Sequence, residues 1–280
     1  MLDAAERISG AQIHQRSHGC AEVVIAAHAN GARLERLAQA GSAKAILPRI
    51  HDPRPEVVFL NTSGGLTGGD TLRYALRLGD GLCATATTQT AERAYASTTG
   101  AAQANVDLKV GRGGWLDWLP QETILFQSSN LKRRIVIDLA EDAGCLFLET
   151  VILGRHAMGE TITSARLDDR REIRRAGRPI WIDPLRLDPD SLGRTTSPAL
   201  LGPGRAFATL VLVAPGAADA LGPLRATLTV PGVEAAATAF EGRLVLRVLA
   251  RDGLPLRRQI ARAVACLRPG PLPRVWQYQD

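Results

Sequence analysis

Aromatic residues make up only 4% of this 280-residue sequence, so its core must be assembled from Val, Leu, Ile and Ala. Lysine is almost missing: Lys44, Lys109 and Lys132 are the only three among 34 lysines and arginines. That arginine bias reads as compositional, like the high Ala and Gly content. The four cysteines, Cys20, Cys83, Cys145 and Cys266, are scattered, with no Cys-x-x-Cys pair and no Cys/His cluster. The pattern argues against a structural zinc site and suits free thiols buried in a reducing compartment. No charged-then-apolar leader opens the chain, and no apolar run approaches the roughly 18 residues of a membrane span. The expectation is a soluble, cytoplasmic protein with no membrane partner.

Much familiar chemistry is missing as well. The sequence has no Gly-x-Ser-x-Gly elbow and no His-Glu-x-x-His helix. A formal charge of +6 and a pI near 9.6 are compatible with nucleic-acid binding. No basic stretch is interleaved with aromatics, however, so no nucleic-acid partner is expected, and an acidic protein partner accounts for the charge equally well. His14 and His18 stand four apart, but Ser17 and Gly19 argue against the firm helix that a metal-binding pair would need. Of the five histidines only His156 lies in a glycine-framed loop. Ser63 and His156 are the one nucleophile–base pair the sequence offers a β-rich hydrolase, which is the alternative reading.

What is present is organised around the stretch from Phe59 to Thr71, which contains Gly64, Gly65, Gly68, Gly69 and a closing Asp70. Paired glycines are entropically costly unless the backbone needs φ > 0 or a close approach, so at least one left-handed position is expected. A phosphate-binding loop would place Lys-Ser/Thr after its last glycine, where Asp70 stands and would repel phosphate. The following segment alternates as a strand (Leu72, Tyr74, Leu76, Leu78), which also excludes a dinucleotide fingerprint.

Short apolar strands separated by glycine-containing turns fill the rest. They are read at Ala21–Ala27, Leu82–Thr90, Asn105–Val110, Leu131–Leu139, Cys145–Leu153, Phe207–Val213, Ala235–Phe240 and Arg243–Leu249. Asn30-Gly31 is a hairpin signal, while Arg33–Ile46 fits either a helix or a returning strand. Cys145–Leu153 is apolar throughout, as a strand buried on both faces should be. Strands continue from Ile162 to Ile182 around Ala176-Gly177, and the charged run Asp168–Arg178 reads as a solvated hairpin face. One amphipathic helix is expected at Leu256–Leu267, stopped by Pro269. The fold class is therefore all-β or β-rich: many short, mostly antiparallel strands and few helices in one domain over residues 1–280, with residues 1–20 frayed. No internal repeat stands out.

The remaining candidate residues are carboxylates in or beside polar loops: Asp70, Glu160 and, at a strand end, Glu122. Oxygen ligands suit transient binding of a divalent ion better than tight capture. The competing reading is structural, with Asp70 capping its own turn and Glu160 paired with Arg155.

Several segments together resemble one family, the urease accessory protein UreD (UreH in some organisms). They are Gly64-Gly65-Leu66-Thr67-Gly68-Gly69-Asp70, Thr87-Thr88-Gln89-Thr90-Ala91 followed by Tyr95, and Trp118-Leu119-Pro120-Gln121-Glu122-Thr123-Ile124. Gly154-Arg155-His156-Ala157-Met158-Gly159-Glu160 and the terminal Pro273-Arg274-Val275-Trp276 complete the set. Five segments in family order are specific where each alone is weak. The resemblance implies a β-rich, non-catalytic metallochaperone scaffold that works with UreF and the GTPase UreG to insert nickel into apo-urease. It implies a hetero-oligomeric complex, dimeric in one form, with an internal channel for nickel. No tightly bound cofactor is implied, only transient nickel, with Asp70, Glu160 and Glu122 as route residues. Gly64, Gly65, Gly68, Gly69, Gly154, Arg155 and Gly159 are expected to shape the loops. Arg274 and Trp276, beside the C-terminal helix, are expected to meet UreF.

Overall fold

A computed structural model describes residues 15–29, 31–49, 54–155, 158–197 and 199–276. Seventeen strands and three short or medium helices are present among them. The alternation seen in the sequence decides which side chains turn inward. In β5 (Thr71–Leu78), Leu72, Tyr74, Leu76 and Leu78 are buried, and in β8 (Ala102–Val110) the buried set is Ala102, Ala104, Val106, Leu108 and Val110. β12 (Gly144–Leu153) is buried on both faces, with all but Ile152 of its ten residues inaccessible.

The strands form two sheets. One runs β14 (Arg178–Leu187), β13 (Arg166–Arg175), β11 (Asn130–Leu139), β8, β5, β1 (His18–His28), β2 (Gly31–Gly41), and the other β16 (Val233–Phe240), β17 (Arg243–Ala250), β15 (Ala206–Val213), β12, β9 (Trp115–Trp118), β6 (Cys83–Thr88), β4 (Glu56–Asn61), β3 (Ala43–Ile46). The chain passes back and forth between them. From β4 (Glu56–Asn61) it crosses to β5, returns to β6 (Cys83–Thr88), crosses to β8 and returns to β9 (Trp115–Trp118). It then crosses to β11 (Asn130–Leu139), returns to β12 and crosses to β13 (Arg166–Arg175). Each circuit therefore lays its strand parallel to the one before. Glu56 pairs with Thr85, Cys83 with Trp115, and Trp115 with Gly144. A third, narrower face is made by β7 (Glu92–Ala94) and β10 (Thr123–Leu125), which pair with each other and, through β10, with the end of β12.

This winding corrects three expectations. Nine of the fifteen pairings among the described strands are parallel, because a coil stacks like on like, whereas the sequence suggested mostly antiparallel hairpins. The antiparallel pairs lie chiefly at the two ends, where β1–β2, β3–β4, β13–β14 and β16–β17 close the sheets. A structural repeat exists where none stood out in the sequence, since the coils share geometry and not residue identity. The charged run in β13 is solvated on one face only: Asp168 and Arg170 are exposed, but Asp169, Arg171 and Glu172 are buried. Two ambiguities resolve as well. Arg33–Ile46 forms β2 (Gly31–Gly41) and β3 (Ala43–Ile46), and β1 (His18–His28) begins inside the stretch expected to fray.

One core fills the coil between the sheets, and the single β-rich domain with few helices is as expected. A second core lies on the outer face of β12, β15 (Ala206–Val213), β17 (Arg243–Ala250) and β16 (Val233–Phe240). It is covered by α2 (Leu221–Ala226) and α3 (Gly253–Leu267), the expected C-terminal helix. The Asp252 carboxylate accepts from the Leu254 N–H at the start of α3, and Leu256, Ile260, Ala263 and Val264 form its buried stripe. α1 (Pro189–Gly193) is a single turn. Among the described residues no helix is long and apolar enough to cross a membrane.

Candidate functional site

The glycine-framed loops occupy one corner of the coil. Leu66 bridges Ala94, the Phe126 N–H donates to the Ala94 carbonyl, and the Gly154 N–H donates to the Leu125 carbonyl. The segments singled out separately in the sequence are thus the same corner of successive turns.

Glycine is needed there for two different reasons. Gly64, Gly65 and Gly69 have φ of +78°, +152° and +89°. Gly68 is conformationally ordinary, but a Cβ on it would sit 2.7 Å from the Gly100 carbonyl oxygen, and one on Gly65 would sit 2.7 Å from that of Arg93. Gly154 and Gly159 are also left-handed, at +71° and +67°.

Asp70 closes the loop from inside. It is 5% exposed, and its two oxygens accept from the Ser17 and Thr67 backbone N–H groups, each at 2.8 Å. Glu160 does the same for the neighbouring loop. One of its oxygens accepts from Gln127 N–H at 3.1 Å, the other from Arg155 N–H at 3.0 Å and Arg155 Nε at 3.1 Å. Burial opposes ionisation of Glu160, but these hydrogen bonds and the Arg155 charge hold its pKa below the ordinary value. Glu122 pairs with Arg257 at 3.1 Å, and that guanidinium lies over the Trp276 indole, 4.9 Å from the ring centre. The three carboxylates hold loops and the C-terminal segment and do not converge. Among the described residues no three His, Cys, Asp or Glu side chains are grouped to hold a metal.

Trp276 requires a correction. It is 3% exposed, and its Nε1 donates to the Leu119 carbonyl at 2.9 Å, so the indole belongs to the second core and is not displayed to a partner. Arg274 is the exposed member of the pair. The Ser63 hydroxyl lies 2.7 Å from Asn61 Oδ1 and 2.9 Å from the Gly65 carbonyl, so its proton serves the loop. His14 and His156 lie outside the described residues.

The feature the sequence reading missed is inside the coil. A cavity of about 70 Å³ lies between the two sheets and β7, lined among others by Asn61, Tyr74, Glu92, Gln121, Arg133 and Glu149. On one side Arg133 reaches across the interior, 2.7 Å from Glu149 and 2.6 Å from Asp169, and donates to Thr123 Oγ1 at 2.8 Å. Glu149 also accepts from Trp118 Nε1 at 2.8 Å. On the other side Glu92 accepts from Asn61 Nδ2 at 3.2 Å and from its neighbour Arg93 N–H at 3.2 Å. No cation within ion-pair distance faces Glu92 among the described residues, and burial pushes its pKa up to about 7. Burial also raises Glu149 against the pull of Arg133 and Arg171.

A signal for these residues existed in the sequence. Arg133 follows Leu131 and precedes Ile135, and Asp169 and Arg171 stand between Leu167 and Ile173, all at inward positions of the alternation. A charge at an inward position demands an opposite one, and that rule would have joined them.

Comparison with known proteins agrees with the motifs. The model of the UreD urease accessory protein family matches residues 17–277. A protein of Cereibacter sphaeroides named urease accessory protein UreD is 59% identical over 263 residues, covering 94% of this chain and 96% of its own. Proteins with the same name from Paracoccus denitrificans (56% identical, covering 94% of this chain and 93% of its own) and Jannaschia sp. (47%, covering 99% and 100%) are similar over comparable lengths. The chain belongs to the UreD family of urease accessory proteins.

Proposed function

We propose that this protein is a non-catalytic scaffold of urease maturation, acting in the cytoplasm in a hetero-oligomeric complex with UreF, the GTPase UreG and apo-urease. Nickel is its transient cargo and not a resident cofactor. The observation that carries this reading is the cavity inside the coil, where Glu92 is the lining carboxylate with no ion pair among the described residues. A passing divalent ion needs oxygen ligands that bind weakly enough to let it go. Glu92 and Gln121, both in the cavity wall, offer such oxygens, while Asn61 gives Glu92 its NH2 and turns its oxygen to Ser63, and Asp70, Glu160 and Glu122 are engaged in holding backbone or arginine. We therefore place Glu92 on the nickel route and give the other three carboxylates supporting positions along the coil.

The test is reconstitution in a urease-producing host lacking its own gene for this protein. The chain should restore nickel content and activity of urease and co-purify with UreF, UreG and apo-urease. A soluble chain that restores neither and binds none of the three would overturn the reading.

A further inference from the structure

The two sheets do not end together at the β14/β16 end of the coil. β14 (Arg178–Leu187) lies over β17, where Asp183 meets Arg247 at 2.6 Å, and Trp181 meets Phe147 of β12 with ring centres 5.5 Å apart. The second sheet then continues by one more strand, β16, with no strand of the first sheet above it among the described residues. The residues of β16 show the consequence. Ala237 is buried in the second core beneath the helices, while Glu234, Ala236, Thr238 and Phe240 are exposed.

What remains is an open cleft walled by β14 and β16. Its two lobes, about 610 and 450 Å³, share Ala236 and Arg247. Three large apolar side chains stand at its walls and rim, with Ile182 44%, Leu200 39% and Phe240 50% exposed. Arg186, Arg243 and Arg247 line it with one acid, Glu234. Arg247 is already paired with Asp183 at 2.6 Å and Arg186 lies 3.9 Å from the exposed Asp168, while among the described residues no carboxylate is within ion-pair distance of Arg243. Arg243 lies over the Phe240 ring at 5.3 Å, so the positive charge sits directly against the apolar patch.

From this geometry we infer that the cleft docks an amphipathic helix with acidic flanks, presented by a protein partner. Charge complementarity selects the acid: Arg243, set over the apolar Phe240 ring, and Arg186, held only by a long solvated contact with Asp168, border an apolar strip and reward carboxylates beside it. Backbone chemistry selects the helix over an added strand. Pro179 and Pro184 lie in β14 and have no N–H to offer a further strand, which is how edge strands are closed to sheet extension. A helix about 10 Å across fills the layer above β16, since stacked sheets lie about 10 Å apart. The inference deepens the proposed role, because a scaffold needs a docking face, but its first test does not depend on that role.

That test uses a fluorescein-labelled helical peptide of about 20 residues, with a Leu/Ala face flanked by glutamates, and its twin with lysines in their place. Fluorescence anisotropy should show the acidic peptide binding the full chain at least about tenfold more tightly than the basic one. The double variant Arg186→Glu/Arg243→Glu should reverse that preference. Ile182→Glu/Phe240→Glu should abolish binding of both peptides while leaving the circular dichroism spectrum and unfolding midpoint unchanged. Absence of acidic-peptide binding, equal affinity for the two peptides, or indifference to Ile182→Glu/Phe240→Glu would each overturn the inference. So would self-association of the chain that only those two substitutions relieve, which would make the occupant a second copy.

A second arm co-expresses the chain with UreF, UreG and urease. A wild-type complex disrupted by Ile182→Glu/Phe240→Glu supports the inference. A complex indifferent to them overturns it and leaves the proposed function standing. If wild type forms no complex, the proposed function fails, and the peptide measurement still decides the cleft.

Discussion

Within one coil, carboxylates meet two fates. In the β11–β14 portion Glu149, Asp169 and Asp183 are each in contact with a guanidinium, at 2.7 Å from Arg133, 2.8 Å from Arg171 and 2.6 Å from Arg247 respectively. Thr123 and Thr209 accept the spare N–H groups of Arg133 and Arg171. One turn of the coil away, Glu92 faces an amide and a backbone N–H. In the first region each anion already has a guanidinium partner, although burial still raises the pKa of Glu149. In the second a half-buried carboxylate has no ion pair among the described residues and feels only the charge of its neighbour Arg93, so a cation arriving there gains what the protein has not supplied. The same residue type is structural in one region and available in the other, and the difference lies in what the neighbouring strand places opposite.

The sharpest way to break the comparison is to remove the compensating charge. Arg133→Met leaves Glu149 and Asp169 buried without their shared partner and should destabilise the protein by about 3–5 kcal/mol, read as a lower denaturant midpoint. A charge-preserving Arg133→Lys, which cannot make the same fork, should fall between this variant and wild type. A comparable loss is expected at the C-terminal clamp, where Trp276→Ala should cost about 3–5 kcal/mol because the indole is buried in the second core. Truncation at residue 269 should therefore impair folding, where an exposed partner-binding tail would have been dispensable.

The corner loops give smaller effects. Gly65→Val introduces a Cβ against the Arg93 carbonyl at a φ that L-residues avoid, and strain of about 1–3 kcal/mol should appear as reduced soluble yield. Asp70→Ala strands the Ser17 and Thr67 N–H groups and should lower stability by about 1–3 kcal/mol.

Glu92 gives a distinctive effect, read as a pH dependence of stability. Its pKa is raised from about 4.5 unfolded to about 7 folded, so between those values the native state holds the extra proton. Stability should therefore fall as pH rises from 4.5 to 7, by at most about 1.4 kcal/mol per pH unit from this group. Glu92→Gln should flatten that part of the pH–stability curve. An unchanged slope would mean that Glu92 is not held as a poorly compensated acid.

How much of this was legible in the sequence follows from what carries local information. Strand existence was legible because β5 and β11 alternate and because Gly79-Asp80-Gly81 turns the chain between β5 and β6. The need for left-handed glycine at 64–69 was legible because only glycine accepts that backbone. Coil winding was not: Leu76 pairs with Leu108 of the next turn, a contact between strands that no local pattern links. The cavity was hidden for the same reason. Asn61, Glu92, Gln121 and Arg133 come from four different elements, and each alone is an ordinary polar residue. Trp276 was misread because a tryptophan near a chain end carries no mark of whether it is buried.

The account rests most directly on the carboxylate inside the coil. The decisive measurement is the nickel content of urease purified from cells making the full accessory set with Glu92→Gln in place of wild type, at matched amounts of assembled complex. Gln keeps the shape and the hydrogen bond to Asn61 through its carbonyl but removes the charge. The account predicts urease deficient in nickel despite an intact complex, with Glu92→Asp restoring part of it. Urease fully loaded through the Glu92→Gln complex would contradict it.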